Sequence, residues 1–241
     1  MPRVTATTVP VTRVTPADRD AMWGVFERYY EDVSRPAFEA DLAAKDHVIL
    51  LRDGATVQGF STLSTRPGRI GGRAVVSVYS GDTVIDHRYR GQTALAWAFF
   101  WYVVSVRLRN PQRLVVWFLI SKGYKTYLLL SRNFATYWPR RDAPTPDWAR
   151  ALITTLATER FGDSLDPAAL VLKVAHGRLR ATTAPVVGLD DPDVHFFTTA
   201  NPNHAAGEEL CCLGVVDAGL ILGFPLRLLR KLRRRKLLRR G

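Results

Sequence analysis

The apolar residues in the first half of the chain follow a helical repeat and then strand repeats. Between Pro16 and Val33 they recur at spacings of three and four, which predicts an amphipathic helix with Thr15 as its N-cap. A second short helix is predicted over 36–44. Runs rich in Val, Ile, Thr and Tyr are typical of strands, and an Asp-Gly pair between two of them predicts a tight hairpin. The predicted strands are residues 4–14, 47–51, 56–63 and 73–85.

The second half of the chain has longer apolar runs. Residues 92–106 predict a helix so apolar that it should be buried on most sides. A strand at 114–120 and a helix at 121–132 follow, and a further helix is predicted over 147–160. Helices and strands in this order indicate an α+β fold built on a mixed sheet. The last predicted strands are residues 194–199 and 209–216.

The positive charge of the chain is concentrated at its C-terminus. The net charge is +12, and nine Lys or Arg with no acidic residue lie between Arg227 and Arg240. Removing these nine leaves +3 for the rest of the chain, so the protein is not basic throughout. Residues 217–241 are therefore predicted to form a tail, apolar at first and then basic.

Three roles are open for this tail. Residues 218–240 predict an amphipathic helix that suits an anionic membrane surface, with Leu and Phe in the interface and Arg on head groups. A solvated flexible tail and a contact with nucleic-acid phosphates are the alternatives. Nucleic acid is the least favoured, because no aromatic side chain that would stack on bases follows Phe224.

The remaining composition favours a cytoplasmic protein, and a peripheral position at the membrane is one of the roles left open by the tail. Cys211 and Cys212 are adjacent, which disfavours a disulfide between them. The charged first 20 residues do not resemble a secretory signal, and no apolar stretch approaches the roughly 20 residues of a spanning helix. The five histidines are scattered without ligand spacing, so no metal is expected.

Residues 84–95 carry the most informative local pattern: a strand ends, a short basic turn follows and a helix begins. The start of a helix offers backbone N–H groups and the positive end of its dipole, which suits a pyrophosphate. Gly91 allows a close approach of the backbone, and Arg88 and Arg90 add charge for phosphate oxygens.

This segment resembles the signature turn of the GNAT acyltransferase superfamily, Gln/Arg-x-x-Gly-x-Gly/Ala. Arg88, Gly91 and Thr93 occupy its three defined positions, the last with Thr in place of Gly or Ala. The order of elements over residues 11–140 is also similar to that of the family. The resemblance implies a mixed, mostly antiparallel central sheet flanked by helices, with acetyl-CoA or a longer acyl-CoA as co-substrate. The residues that it assigns to acyl-CoA are Val84, Ile85, Arg88, Arg90, Gly91, Gln92, Thr93 and Ala94.

By the same resemblance, an amine attacks the thioester between two splayed strands, and a strand N–H stabilises the oxyanion. Asp82 is the candidate base, and a local role in a strand bulge is the alternative. Tyr124 and Tyr127 are candidates to protonate the leaving thiolate, and helix packing is the alternative for each.

The predicted organisation is a GNAT-like acyltransferase domain over 1–216, with its signature in 11–140 and an extension over 141–216, followed by the tail. Its predicted function is transfer of an acyl group from acyl-CoA, or from an acyl carrier protein, to an amine. The alternative is a non-catalytic GNAT-fold binding or scaffold protein held at the membrane surface by the basic tail.

Overall fold

The structure is a computed structural model that describes residues 3–173, 178–179 and 190–237, with the side chains of 178–179 and 228–237 excepted. The helices are α1 (Pro16–Tyr29), α2 (Arg35–Ala43), α3 (Ala94–Arg109), α4 (Tyr124–Asn133), α5 (Asp147–Phe161), α6 (Pro192–Ala200) and α7 (Ala218–Leu237). The strands are β1 (Thr5–Pro10), β2 (Tyr30–Glu31), β3 (His47–Asp53), β4 (Thr56–Ile70), β5 (Arg73–Ile85), β6 (Leu114–Ser121), β7 (Tyr137–Trp138), β8 (Leu165–Asp166), β9 (Val171–Leu172), β10 (Arg178–Leu179) and β11 (Glu209–Val215).

A mixed sheet forms the centre of the fold. Its strand order is β1-β3-β4-β5-β6-β11-β9-β8, with β7 also paired to β11, and β2 pairs separately with β10. β5 and β6 are parallel, whereas the other pairs are antiparallel. The predicted α+β fold with a mostly antiparallel sheet flanked by helices is therefore confirmed.

Helices cover both faces of the sheet. On one face α1 and α2 pack on β3 and β4 in a cluster that includes Phe26, Phe38 and Phe60. α5 covers the same face, because Arg160 donates to the Ser64 hydroxyl at 3.1 Å and Ser64 lies four positions after Phe60 on β4. The helices α3, α4, α6 and α7 share a second core on the opposite face. Their buried contributions include Phe100, Tyr127, Phe197 and Phe224.

The strand predicted over 194–199 is wrong, because these residues belong to α6. Asp191 caps this helix by accepting the Asp193 N–H at 2.9 Å, and Pro192 stands in its first turn, where a missing N–H costs nothing. Val194 and Phe197, three positions apart, are buried on the face toward the sheet. The helical spacing of these two residues outweighs the strand propensity of the segment.

Most of α3 is covered, as predicted for residues 92–106, but two of its apolar side chains are exposed. Phe100 packs into the core, but Trp101 is 61% exposed and Leu108 is 71% exposed. The helix begins at Ala94, later than predicted, after Thr93 as its N-cap.

The C-terminal segment forms α7, whose first turns belong to the core. Leu220 and Phe224 are buried, and the Phe224 ring stacks on Phe100 with centroids 4.6 Å apart. The apolar start of the predicted tail is thus packed on the domain, and the domain boundary at residue 217 stays a prediction. Within the described residues, no helix combines the length and the apolar character needed to cross a membrane.

Candidate active site

The two parallel strands separate near the middle of the sheet. β5 pairs with β6 from Val75 to Tyr79, and there the pairing ends. β5 continues alongside β4, where Val84 lies opposite Phe60 and Ile85 lies opposite Gly59. The carboxyl ends of β5 and β6 therefore form an opening at one edge of the sheet.

A β-bulge positions Asp82 at this opening. Ser61 of β4 pairs with Thr83 and Leu63 pairs with Ser80, so Gly81 and Asp82 together oppose a single residue of β4. A bulge of this kind interrupts the alternation of side chains along a strand and redirects the residues within it. Asp82 is half-buried as a result.

The surroundings of Asp82 make it a better proton acceptor than an ordinary aspartate. The pKa of its carboxyl is raised from 3.8 to about 6, and burial is the largest cause. The charges of Asp41 and Glu209 also raise this pKa, whereas those of Lys45 and Lys122 oppose them. Lys45 is paired with Asp41, and the Lys122 Nζ lies 3.1 Å from the Glu209 Oε1. A carboxyl with a pKa near 6 is still ionised at neutral pH and accepts a proton readily.

Glu209 is a part of this site that the sequence did not single out. It begins β11, at the start of the strand predicted over 209–216, and is only 9% exposed. β11 pairs with β6, which brings Glu209 to the same edge of the sheet as the opening. Burial is the largest cause that raises the pKa of Tyr79, and the charge of Glu209 raises this pKa as well.

The turn after β5 has the backbone shape that the phosphate-binding pattern predicted. Residues His87–Tyr89 form one 3₁₀ turn, and Gly91 has a φ of 82° before α3 begins. Thr93 makes no side-chain cap at the start of α3. The first N–H groups of a helix have no partner within the helix, so those at the start of α3 point toward the turn.

An aspartate that the sequence analysis missed holds two arginines at this turn. The Asp86 carboxylate is buried and accepts from the Arg88 Nε at 2.9 Å and from the Arg28 Nη1 at 2.9 Å. The Arg88 hydrogen bond is the largest cause that lowers the pKa of Asp86. The charge of Arg88 is therefore partly neutralised from within the chain.

The other charged and polar residues assigned to acyl-CoA lie around the same turn. The Arg90 guanidinium lies over the Tyr29 ring, 5.1 Å from its centroid, and its Nε donates to the Ile85 carbonyl oxygen at 3.3 Å. The Gln92 side chain accepts the N–H of Val4 at 3.1 Å, which ties the turn to the start of the chain. Arg90 is exposed, which leaves it the best placed of these side chains to meet a phosphate.

The two candidate tyrosines lie in different environments. Tyr127 is fully buried, its hydroxyl donates to the Pro139 carbonyl oxygen at 3.0 Å, and burial raises its pKa. Tyr124 is half-buried and begins α4, shortly after β6 ends. Because β5 and β6 are parallel, Tyr124 lies at the edge of the sheet where the opening lies. Among the described residues, no group of three or more His, Cys, Asp or Glu side chains is arranged to hold a metal ion.

Replacing Gly91 by alanine is expected to lower the free energy of unfolding by about 1–2 kcal/mol, because a φ of 82° strains any residue with a Cβ. Urea unfolding followed by circular dichroism measures this. Gly24→Ala in α1 is the matched control: a Cβ there meets nothing within 4 Å, and alanine should stabilise the helix slightly. Equal stability of wild type and Gly91→Ala would contradict the left-handed turn.

The sequence matches no protein-family model and no curated protein. A probable N-acyltransferase from Enterococcus faecalis V583 is similar in structure, with 11% identity and a TM-score of 0.42 over 55% of this chain and 33% of that one. Escherichia coli YhbS, a GNAT family N-acetyltransferase in complex with CoA, is also similar in structure. It is 17% identical, with a TM-score of 0.39, over 56% of this chain and 70% of YhbS. A third similar structure is an aminoglycoside acetyltransferase from an uncultured soil metagenomic sample, in complex with sisomicin. It is 10% identical, with a TM-score of 0.39, over 58% of this chain and 91% of that one.

The chain spans about a third of the length of the E. faecalis protein. The order of helices and strands, the parallel pair that separates and the glycine turn before α3 define a GNAT-like α+β fold from the chain itself.

Proposed function

We propose that this chain is an N-acyltransferase that uses acyl-CoA as its acyl donor. The observation that carries the proposal is the position of Asp82, with its raised pKa, where β5 and β6 separate. The resemblance to GNAT enzymes supplies the reaction that such an opening serves. The turn at Gly91 and the start of α3 suit the diphosphate of the donor, with Arg90 as the main side-chain contact.

In the proposed reaction, the amine nitrogen forms a bond to the thioester carbonyl carbon and gives up a proton to Asp82. A backbone N–H near Val84 or Ile85 stabilises the charge on the carbonyl oxygen. The carbon–sulfur bond breaks, and the thiolate takes a proton from Tyr124. We favour Tyr124 over Tyr127, because the Tyr127 hydroxyl is buried and already donates to Pro139.

A titration of the purified chain with acetyl-, octanoyl- and palmitoyl-CoA by calorimetry tests donor binding. We expect saturable binding of at least one ester, and a Kd about fivefold higher in Arg90→Gln, because a charge-assisted hydrogen bond to an exposed phosphate contributes about 1 kcal/mol. Arg113→Gln is the matched control, since Arg113 is exposed and precedes β6 at the opposite edge of the sheet. If none of the three esters binds, the proposal is wrong.

The alternative is a non-catalytic GNAT-fold binding or scaffold protein that the basic tail holds at the membrane surface. The ion pairs of Asp86 favour it, because they reduce the positive charge that Arg28 and Arg88 can offer to phosphates. The two functions differ in turnover. Release of free CoA that depends on an added amine supports the enzyme, whereas tight binding without such release across a broad panel of amines supports the alternative.

A further inference from the structure

Two helices on the same face of the sheet, α3 and α7, each expose large apolar side chains. On α7, Leu222 is 71% exposed and Leu226 is 58% exposed, and the two lie one helical turn apart. Each is two positions from Phe224, so at 100° per residue both lie on the side of α7 away from the core. Trp101 of α3, 61% exposed, is the third member of what we call the apolar patch.

Trp101 lies at the margin of the contact between the two helices. The Phe224 ring stacks on Phe100 and meets Trp97 edge-on, with centroids 5.8 Å apart. The Trp101 ring in turn lies 5.3 Å from that of Phe100. Trp97 and Trp101 are one turn apart on α3, so Trp101 extends the row that α7 covers.

The charge next to the patch is strongly positive. α7 continues as a helix to Leu237, and the sequence from Arg227 to Arg240 holds nine Lys or Arg and no acid. Arg227 donates to the Asn133 carbonyl oxygen at 2.6 Å, which anchors α7 to the end of α4. Eight basic residues follow this anchor.

We propose that the apolar patch and the basic part of α7 dock the protein on an anionic lipid surface. Leu and Trp side chains enter the boundary between head groups and acyl chains, and the basic residues meet the lipid phosphates and carboxylates. A second copy of the chain is a poor partner for this face, because it would bring two sets of nine positive charges together. Nucleic acid would contact the basic residues of α7 but would leave Leu222 and Leu226 exposed.

Flotation of the full-length chain with vesicles tests this. We expect strong binding to phosphatidylcholine vesicles that contain phosphatidylserine, weak binding to phosphatidylcholine alone, and a loss of binding as salt is raised. The triple variant Trp101→Ser, Leu222→Ser, Leu226→Ser should weaken partitioning at least about tenfold, since each replaced side chain would lose burial in the interface. All three sites are exposed, so the variant should keep the wild-type circular dichroism and unfolding midpoint.

Trp148→Ser is the matched control, because Trp148 is also exposed but lies on α5, across the sheet. It should bind vesicles as the wild type does, and so should Arg90→Gln, which separates lipid docking from acyl-CoA binding. Three results would each overturn the proposal: no binding to anionic vesicles, equal binding to neutral vesicles, or unchanged binding by the triple variant. A dimer that the triple variant dissociates, without lipid binding by the wild type, would assign the patch to a second copy instead.

Discussion

Replacing Asp82 by asparagine is expected to lower kcat for amine-dependent CoA release about a hundredfold to a thousandfold. Asparagine has nearly the same size but cannot take a proton, and a positioned general base contributes about 10²–10⁴ to the rate. Affinity for acyl-CoA should change little, because in the proposed mechanism Asp82 meets the amine and the donor is held by the turn. The measurement is thiol release from the best acyl-CoA with the most active amine of a panel.

The pH dependence of the reaction provides a second readout. Only ionised Asp82 accepts a proton, so the wild-type rate should rise with pH through about 6, the raised pKa of this carboxyl. In Asp82→Asn this limb of the profile should be missing, whereas Asp82→Glu should retain one. Asp147→Asn, an exposed carboxylate at the start of α5, should leave both rate and profile unchanged.

The free energy of unfolding of Asp82→Asn distinguishes a loss of catalysis from a folding defect. Because the folded pKa of Asp82 is raised above 3.8, ionising it costs folding free energy, and this cost appears as pH rises from about 4 to above 6. Asp82→Asn removes that cost and should be no less stable than wild type at neutral pH. An active, stable variant with an unchanged profile would show that another group or a water molecule takes the proton.

The elements set by local chemistry were the ones that the sequence predicted well. Thr15 was expected to cap α1, and its hydroxyl accepts the Asp18 N–H at 3.1 Å. The hairpin at Gly54 and the strand over 73–85 are found where they were predicted. In each case the signal lies within a few neighbouring residues, so a single sequence contains it.

The error in the fold arose where distant packing decides. Residues 194–199 are rich in residues that favour strands, but helical spacing of Val194 and Phe197 lets α6 bury both against the domain. The composition of α3 predicted burial on most sides but not which side chain would stay exposed, and that side chain is Trp101. Neither the neighbours of a helix nor the sides they cover can be read from its own residues.

The candidate site also has features that the local sequence predicts and features that depend on distant residues. The position of the turn at Gly91 and of Asp82 before it could be predicted from a strand, a glycine and a helix in succession. The pKa of Asp82 could not, because it depends on burial and on Asp41 and Glu209, which other elements bring to it. The role of Asp86 was partly visible, since Arg88 is two positions away, but Arg28 reaches it from α1.

Replacing Gly59 by alanine is expected to lower the free energy of unfolding by about 2–3 kcal/mol. A Cβ on Gly59 would lie 2.6 Å from the Val84 carbonyl oxygen and 3.0 Å from the Ile85 Cα. Both are backbone atoms in paired strands, so they cannot move away as the end of a side chain can, and overpacking of this kind typically costs 1–3 kcal/mol. Urea unfolding followed by tryptophan fluorescence measures the loss.

The same substitution should also weaken acyl-CoA binding, because it displaces the end of β5 that leads into the turn at Gly91. Gly68→Ala is the matched control on the same strand: a Cβ there meets nothing within 4 Å, so alanine should be tolerated within about 0.5 kcal/mol. If Gly59→Ala and Gly68→Ala unfold at the same urea concentration and bind acyl-CoA equally, then β4 does not approach the end of β5 as closely as described. A loss of binding in Gly59→Ala at a temperature where it is still folded would tie the position of Val84 and Ile85 to the donor site.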